Sequence, residues 1–167
     1  MTIRAPLPTG STPIVTWGDI ARDAALWLTD CPDTIIRDMV RRVAIERYTE
    51  NRAWRAHAVS FGATVAGQAA YTATLVDAQR IVGLPSITVG EDEALEVLTG
   101  GAAGYDSHHI LASISGAGEI TLDPAPTQAG LAIVADLALA PSPTSTGLPD
   151  WLAAEHREAL ASEAASR

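Results

Sequence analysis

Asp106, His108 and His109 are the residues of this sequence that come closest to a metal-ligand or catalytic cluster. Successive side chains on a strand point to opposite faces, so His108 and His109 cannot easily bind one metal ion. No other histidine or cysteine has metal-ligand spacing. The sequence therefore predicts no metal site, no cofactor and no enzymatic activity, and a small hydrolase that uses His108 or His109 is the alternative.

Three further features resemble chemical motifs less well. Cys31, the only cysteine, would need a nearby histidine to act as a nucleophile, and a buried or capping thiol is more common. The glycine-rich residues 100–104 lack the lysine and the Ser or Thr of a phosphate-binding loop. The acidic residues 91–96 lack the ligand spacing of a calcium loop, so a solvated face is expected there.

Arginine has the most informative distribution along the chain. Between residues 32 and 55 lie six of the eleven basic residues and four carboxylates, whereas three arginines and thirteen carboxylates follow Arg55. Arginine makes planar, bidentate contacts with carboxylates, which favours ordered interfaces. This asymmetry suits a subunit that packs against copies of itself. The candidate interface arginines are Arg37, Arg41, Arg42, Arg47, Arg52 and Arg55.

The size and the charge of the chain exclude several classes of protein. A length of 167 residues favours one domain. A net charge of −9 argues against general nucleic-acid binding, because the phosphate backbone requires many cationic contacts. One cysteine cannot form an intrachain disulfide. No apolar run is long enough to span a bilayer and no signal peptide is recognisable, so we expect a soluble intracellular protein.

An amphipathic helix is predicted to begin at Thr16, whose side chain can cap it together with Asp19 three residues later. Its apolar positions recur at helical spacing and should face a core. They are Trp17, Ile20, Ala21, Ala24, Trp27 and Leu28.

A second, longer helix follows a break at residues 29–32, with Asp30 or Cys31 expected as its N-cap. It should end near Thr49 or Asn51 and place its arginines and acids opposite an apolar face. That face comprises Ile35, Ile36, Met39, Val40, Val43 and Ala44, with Tyr48 as a further candidate.

The middle of the chain loses the helical period and gains β-branched residues separated by turn residues, which predicts short strands. A break is expected at Pro85, and the acidic stretch from Glu91 can form one or two helical turns. The predicted strands cover residues 57–65, 70–75, 79–84, 86–90, 108–115, 119–123 and 131–140.

A linker rich in proline and hydroxyl residues is predicted from Pro141, followed by a last helix from residue 149 or 150. A helix of about 15 residues is marginal alone in water, so Trp151, Leu152 and Leu160 need a partner surface. Either the N-terminal helices or another chain can supply it. Trp151 and Trp54 both stand at helix boundaries, where a core role and an interface role are equally open.

Read in order, these segments resemble the adaptor, or head-to-tail connector, proteins of tailed bacteriophages. The resemblance starts with the first helix and the Cys31-Pro32 break, and it continues through the long helix. That helix ends in a pattern formed by Glu46, Arg47, Thr49, Trp54 and Arg55. Further similarity covers the turn at residues 66–71, the strands at 80–89 and the last helix at 148–167.

The resemblance implies a structural virion protein without enzymatic activity that forms a ring, typically of twelve copies. Such a ring lies in the neck of the virion, binds the portal and a stopper or tail protein, and extends the DNA channel. Double-stranded DNA would pass without sequence-specific binding, and an acidic lumen would repel it. The protein would be made in the bacterial host cytoplasm, with no membrane partner. Another neck or tail component, such as a stopper or tail completion protein, is the alternative.

The expected fold class is α+β: an N-terminal helical hairpin or bundle, a small antiparallel β domain and a C-terminal helix on a linker. Residues 1–15 are expected to form a flexible arm. Residues 16–140 would form the adaptor domain, with helices in 16–55 and a β-rich part in 57–140. Residues 141–167 would hold the linker and the C-terminal helix. Candidate interface residues besides the six arginines are Trp54, Trp151, Leu152 and Leu160.

Overall fold

The computed structural model describes residues 14–28, 30–73, 75, 79–90, 92–94, 111–114 and 118–167. These residues form three helices and strands that pair antiparallel, so the predicted α+β class is confirmed. Their contacts divide them into two compact units. We call them the helical unit, which holds residues 14–54, 79 and 140–167, and the β unit, which holds the described residues within 55–76 and 80–139.

The first helix of the helical unit, α1 (Trp17–Ala25), begins with the predicted cap. The Thr16 side chain accepts a hydrogen bond from the Asp19 N–H at 3.2 Å, and the Asp19 carboxylate accepts one from the Thr16 N–H at 3.2 Å. These hydrogen bonds satisfy backbone donors that the helix leaves free, and the side-chain bond from Thr16 is the main reason why the pKa of Asp19 is lowered. The placement of Trp27 on the apolar stripe is wrong, because α1 has ended and Trp27 is 54% exposed.

The second helix, α2 (Asp33–Asn51), starts without a side-chain cap. Its N-cap residue is Pro32, so the prediction of Asp30 or Cys31 at this position is wrong. Asp30 adopts a left-handed φ of 66° within the preceding turn instead. The predicted end of the helix is confirmed: Arg52 follows with a left-handed φ of 49° and closes it.

The apolar face of α2 is buried as predicted, except at its first turn. Ile35 is 50% exposed, so its assignment to the core face is wrong, and its neighbour Ile36 points inward instead. Met39 is half-buried. The buried residues of the helix are Ile36, Val40, Val43, Ala44 and Tyr48.

The third helix, α3 (Asp150–Ala165), packs against both α1 and α2. The N-terminal helices of the same chain are therefore the partner surface that this helix requires. Leu152 and Leu160 are buried in this packing. Burial of a leucine side chain contributes roughly 1.5–3 kcal/mol, so these two residues fix much of the stability of α3.

Two short strands connect the beginnings of α1 and α3. β1 (Ile14–Thr16) pairs antiparallel with β9 (Gly147–Pro149), so part of the predicted linker is a strand. Beside them, the indole N–H of Trp17 donates to the Ser145 carbonyl at 2.7 Å. The contact that β1 makes therefore holds the start of α3 next to the start of α1.

The β unit contains most of two sheets. One has the strand order β2 (Trp54–Ala63), β8 (Ala132–Pro141), β4 (Gln79–Val89) and β5 (Asp92–Ala94), and the other has the order β3 (Ala70–Thr72), β7 (Glu119–Asp123) and β6 (Leu111–Ile114). The predicted strands at 57–65, 70–75, 108–115, 119–123 and 131–140 are confirmed. Where the structure describes their ends, the observed strands begin or end within one to several residues of the predicted positions.

β4 runs without interruption through Pro85, so the predicted break there is wrong. Proline lacks a backbone N–H, and a strand tolerates it where no neighbour needs that donor. β5 pairs only with the last three residues of β4, from Ile87 to Val89. Pro85 is exposed and lies before this ladder, so β5 needs no donor from it.

The prediction of helical turns from Glu91 is also wrong for the part of this segment that the structure describes. Residues 92–94 form β5 and pair with β4, since Gly90 has a left-handed φ of 73° and allows a tight turn between the strands. Strand pairing thus overrides the helical preference of the acidic sequence. The predicted arm up to residue 13, the rest of the acidic stretch, the glycine-rich loop at 100–104 and the histidines at 108 and 109 lie outside the described residues.

Within the described part of the chain, the helices are too short or too polar to cross a lipid bilayer.

Gly147 should be required for the pairing of β1 with β9. A Cβ atom at this position would lie 2.0 Å from the Val15 carbonyl oxygen, a backbone atom that cannot move alone. We expect Gly147→Ala to lower the free energy of unfolding by about 1–3 kcal/mol, as overpacking does. Chemical denaturation measures this change.

Gly18→Ala is the matched control, because the Cβ there would lie 3.6 Å from the nearest atom. Its effect should be neutral or stabilising by up to about 1 kcal/mol. Equal stability of the Gly147→Ala variant and the unaltered protein would contradict the close approach of the two strands.

Candidate functional site

The helical unit carries most of the residues predicted to form an interface, and its core fixes where they lie. α1, α2 and α3 each bury one face against the other two. Charged residues then occupy either the seams between helices or the outward faces. The arginines divide into these two classes.

Arg47 lies in the seam between α2 and α3. Its guanidinium donates to the Glu163 carboxylate at 3.1 Å, and both side chains are about one-third exposed. This candidate interface arginine is therefore engaged within its own chain. Its predicted role toward another molecule stays a prediction.

Two further arginines hold α3 on the other helices. Arg157 forms a two-pronged contact: its Nη2 donates to Asp23 Oδ1 at 3.0 Å, and its Nε donates to Asp23 Oδ2. The same Nη2 donates to the Asp19 carbonyl at 2.9 Å. The hydrogen bond to Asp23 raises the pKa of Arg157. Bidentate pairs of this kind fix geometry as well as contributing energy.

Arg167 makes a second attachment at the end of α3. Its guanidinium donates to Glu46 of α2 and, at 3.3 Å, to Glu163 of its own helix. The hydrogen bond to Glu46 raises the pKa of Arg167. Sequence reasoning missed the roles of Arg157 and Arg167. Only the spacing of Glu163 and Arg167, four residues apart on one helix, gave any signal.

The remaining candidate arginines are more accessible. Arg41 pairs with Asp38 of the same helix at 3.1 Å. Arg37, Arg42 and Arg52 are exposed, and among the described residues none of the three has an ion-pair partner. Arg55 belongs to the β unit and is half-buried. Arg37, Arg42 and Arg52 are thus the cations of the predicted set that are free for a partner molecule.

The aromatic and leucine candidates lie mostly inside the helical unit. Trp54 is 4% exposed and contacts the ring of Tyr48 edge to face, with centroids 6.0 Å apart. Tyr48 makes a similar contact with His156 at 5.6 Å, and burial raises the pKa of its hydroxyl. Leu152 and Leu160 are core residues, as described above. Trp151 is half-buried, so it alone of the four presents part of its surface outward.

A cleft of about 320 Å³ lies between α1 and α2 within the helical unit. Its lining combines small side chains with two arginines and one carboxylate, so it lacks the apolar lining typical of a small-molecule pocket. The lining residues are Gly18, Ala21, Arg22, Ala25, Asp33 and Arg37.

In the β unit, a contact between a histidine and a carboxylate joins two strands of the four-stranded sheet. His57 Nδ1 lies 3.2 Å from Asp136 Oδ2, and the Ala58 N–H donates to Asp136 Oδ1 at 3.0 Å. Burial raises the pKa of Asp136, but hydrogen bonds from Ala58, His57 and Ser86, together with the charge of His57, outweigh burial and lower it. No motif in the sequence indicated this pair.

These residue types do not assemble into a nucleophilic triad. His57 Nδ1 lies against Asp136 and no described serine hydrogen-bonds to the imidazole, whereas a serine nucleophile must contact the histidine. The free His57 Nε2 is buried and has no hydrogen-bond partner among the described residues. The described residues also contain no group of three or more His, Cys, Asp or Glu side chains that could hold a metal ion. The hydrolase alternative at His108 and His109 lies outside them.

The model of a protein family described as SU10 adaptor protein matches residues 15–167. No curated protein matches the chain.

Trp54→Ala should lower the free energy of unfolding by roughly 3–5 kcal/mol, the usual cost of removing a buried aromatic ring. Thermal or chemical unfolding of the purified chain measures this loss. Trp27→Ala is the matched control, since Trp27 is largely exposed, and its effect should stay within about 0.5 kcal/mol. Unchanged unfolding of the Trp54 variant, combined with defective assembly, would instead assign Trp54 to an interface between molecules.

The stability of the β unit should depend on the ionisation of Asp136. Its pKa is lowered in the folded state from an ordinary value of 3.8, so the stabilisation is present above that value and is lost as the pH falls through the folded pKa. Denaturant unfolding between neutral and strongly acidic pH should show this loss, and Asp136→Asn should reduce the pH dependence. Glu119→Gln, at an exposed position of β7, should leave it unchanged; an identical pH profile for both variants would contradict the role of Asp136.

Proposed function

Because this chain belongs to the SU10 adaptor protein family, we propose that it is a structural subunit of the adaptor ring in the neck of a tailed bacteriophage. Twelve copies form the ring, which binds the portal on one side and a stopper or tail protein on the other. The ring extends the channel through which double-stranded DNA moves. The protein acts in the virion after synthesis in the cytoplasm of the bacterial host.

The family match carries this proposal. It extends over residues 15–167 and so includes the three helices and the strands β2 to β9 that the structure describes. A match of this extent covers the N-terminal helices and the C-terminal helix together with the strands between them. The proposed role therefore belongs to the whole chain rather than to an isolated motif.

The distribution of charge supports a role in assembly. The outward cations Arg37, Arg42 and Arg52 are available for neighbouring subunits or for the portal. The chain as a whole carries a net charge of −9, and a ring of such subunits repels the phosphate backbone rather than binding it. DNA then moves through the channel without sequence-specific contacts.

The core residues support the ring indirectly. Trp54, Leu152 and Leu160 are buried within the helical unit, so their contribution to assembly is to hold α3 and the arginine-bearing α2 in place. Trp151, which is half-buried, contributes directly as an aromatic contact at the subunit surface. The role proposed for these residues is structural, and catalysis has no part in it.

The neck of purified particles tests the proposal. We expect the protein in mature particles, in a ring next to the portal, with a twelvefold stoichiometry visible by electron microscopy and by native mass measurement of the released neck. A position further from the portal would identify the protein as a stopper or tail completion component instead. Absence from particles, or presence only as a free monomer, would end the proposal.

A further inference from the structure

We propose that the outward face of α2 on one copy docks against the outward face of α3 on the next copy. This inference rests on the proposed function, because it identifies the surfaces by which neighbouring subunits of the ring meet. The partner is thus a second copy of this chain. Two charged residues, Arg42 and Glu158, have no partner of opposite charge within the described residues.

Arg42 lies on the side of α2 that faces away from the core. Two carboxylates of the same helix, Asp38 and Glu46, stand at the spacing that allows an ion pair with it. Both are already engaged: Asp38 binds Arg41 at 3.1 Å, and Glu46 binds Arg167. The guanidinium of Arg42 therefore remains exposed and without an ion pair among the described residues.

An apolar side chain shares this face. Ile35 precedes Arg42 by seven residues, which is two helical turns and places both on one side of the helix. Ile35 is 50% exposed in the single chain. A large apolar side chain beside an unpaired cation suits a surface that another molecule covers.

The outward face of α3 has the opposite charge. Glu155 and Glu158 are exposed and lie three residues apart, so they repel each other on one face. No residue three or four positions away from either of them on the helix is a cation. Glu155 has only a 4.0 Å approach to His156. No arginine of the described chain pairs with either glutamate, whereas a cation from a neighbouring copy would reduce their repulsion.

The two faces also match in their spacing. Trp151, half-buried on α3, precedes Glu158 by seven residues, the same interval that separates Ile35 from Arg42. A parallel approach of the two helices therefore sets Ile35 against Trp151 and Arg42 against Glu158. Each interface between neighbouring copies then combines the burial of apolar side chains with an ion pair.

The contact has the symmetry that a ring requires. The α2 face and the α3 face differ, so each copy offers one face to each of two neighbours. Such a heterologous interface generates a ring when the rotation between copies closes. A twofold dimer through either face would instead place arginine against arginine or glutamate against glutamate. Like charges across an interface disfavour that alternative.

Charge reversal tests the contact in assembled particles. Arg42→Glu alone sets a glutamate against Glu158, and Glu158→Arg alone sets an arginine against Arg42. Each should weaken incorporation into the ring by roughly tenfold or more, the expected result of setting like charges together. Incorporation is measured as copies of the protein per particle. The double variant Arg42→Glu/Glu158→Arg should recover it, because the charges are complementary again.

A mixture of the two single variants gives an independent readout. Every contact in an alternating ring would join opposite charges, so particles made with both variants should recover incorporation at an equal ratio of the two chains. Arg22→Glu, at an exposed site on α1, is the control for the charge change itself and should leave incorporation within about twofold. The unfolding temperatures of the Arg42 and Glu158 variants should stay close to that of the unaltered protein, since neither residue is paired within the described chain.

The outcomes separate this inference from the proposed function. If the unaltered protein forms the ring and the single variants incorporate as well as it does, the α2–α3 contact is wrong and the adaptor role stands. Failure of both the double variant and the mixture to recover would also overturn the contact. Absence of the unaltered protein from particles would overturn the proposed function.

Discussion

The packing of α3 against α1 and α2 is the interaction on which the rest of the helical unit depends. A helix of about 16 residues gains too little from its own hydrogen bonds to persist in water, so its buried leucines and alanines must meet an apolar surface. α1 and α2 supply that surface from the other end of the chain. The strand pair β1–β9 and the Trp17–Ser145 hydrogen bond hold the two ends together.

This packing determines which charges remain for other molecules. Arg47, Arg157 and Arg167 are used to attach α3, and each of them binds a carboxylate within the helical unit. Exposed ion pairs contribute only about 0–1 kcal/mol each, so their main effect is to fix the register of the helices. Arg42 and the α3 residues Glu155 and Glu158 take no part in this network and point outward. The internal network therefore defines the external surface.

The sequence predicted helices, apolar faces and strands where local patterns decide them, and failed where distant contacts decide them. The Thr16–Asp19 cap and the end of α2 follow from local residue types. β5 does not, because its acidic sequence becomes a strand only through pairing with β4. The attachment of α3 by Arg157 likewise joins residues 134 positions apart, which no spacing rule detects. The interface arginines were identified as a group, but only the structure separates Arg47, already paired, from Arg42, which is not.

Closure of a ring changes how strongly a weak contact between subunits stabilises the assembly. One exposed ion pair with a small apolar contact is too weak to hold two free chains together at low concentration. In a closed ring every copy makes the contact twice, and a copy that loosens on one side is still held on the other, so its rebinding is effectively intramolecular. A subunit with modest complementary faces therefore stays dispersed when free and becomes firmly held once its neighbours are aligned. The unpaired Arg42 and the mutually repelling Glu155 and Glu158 suit this behaviour, because they oppose random association and are compensated only when a second α2 faces α3.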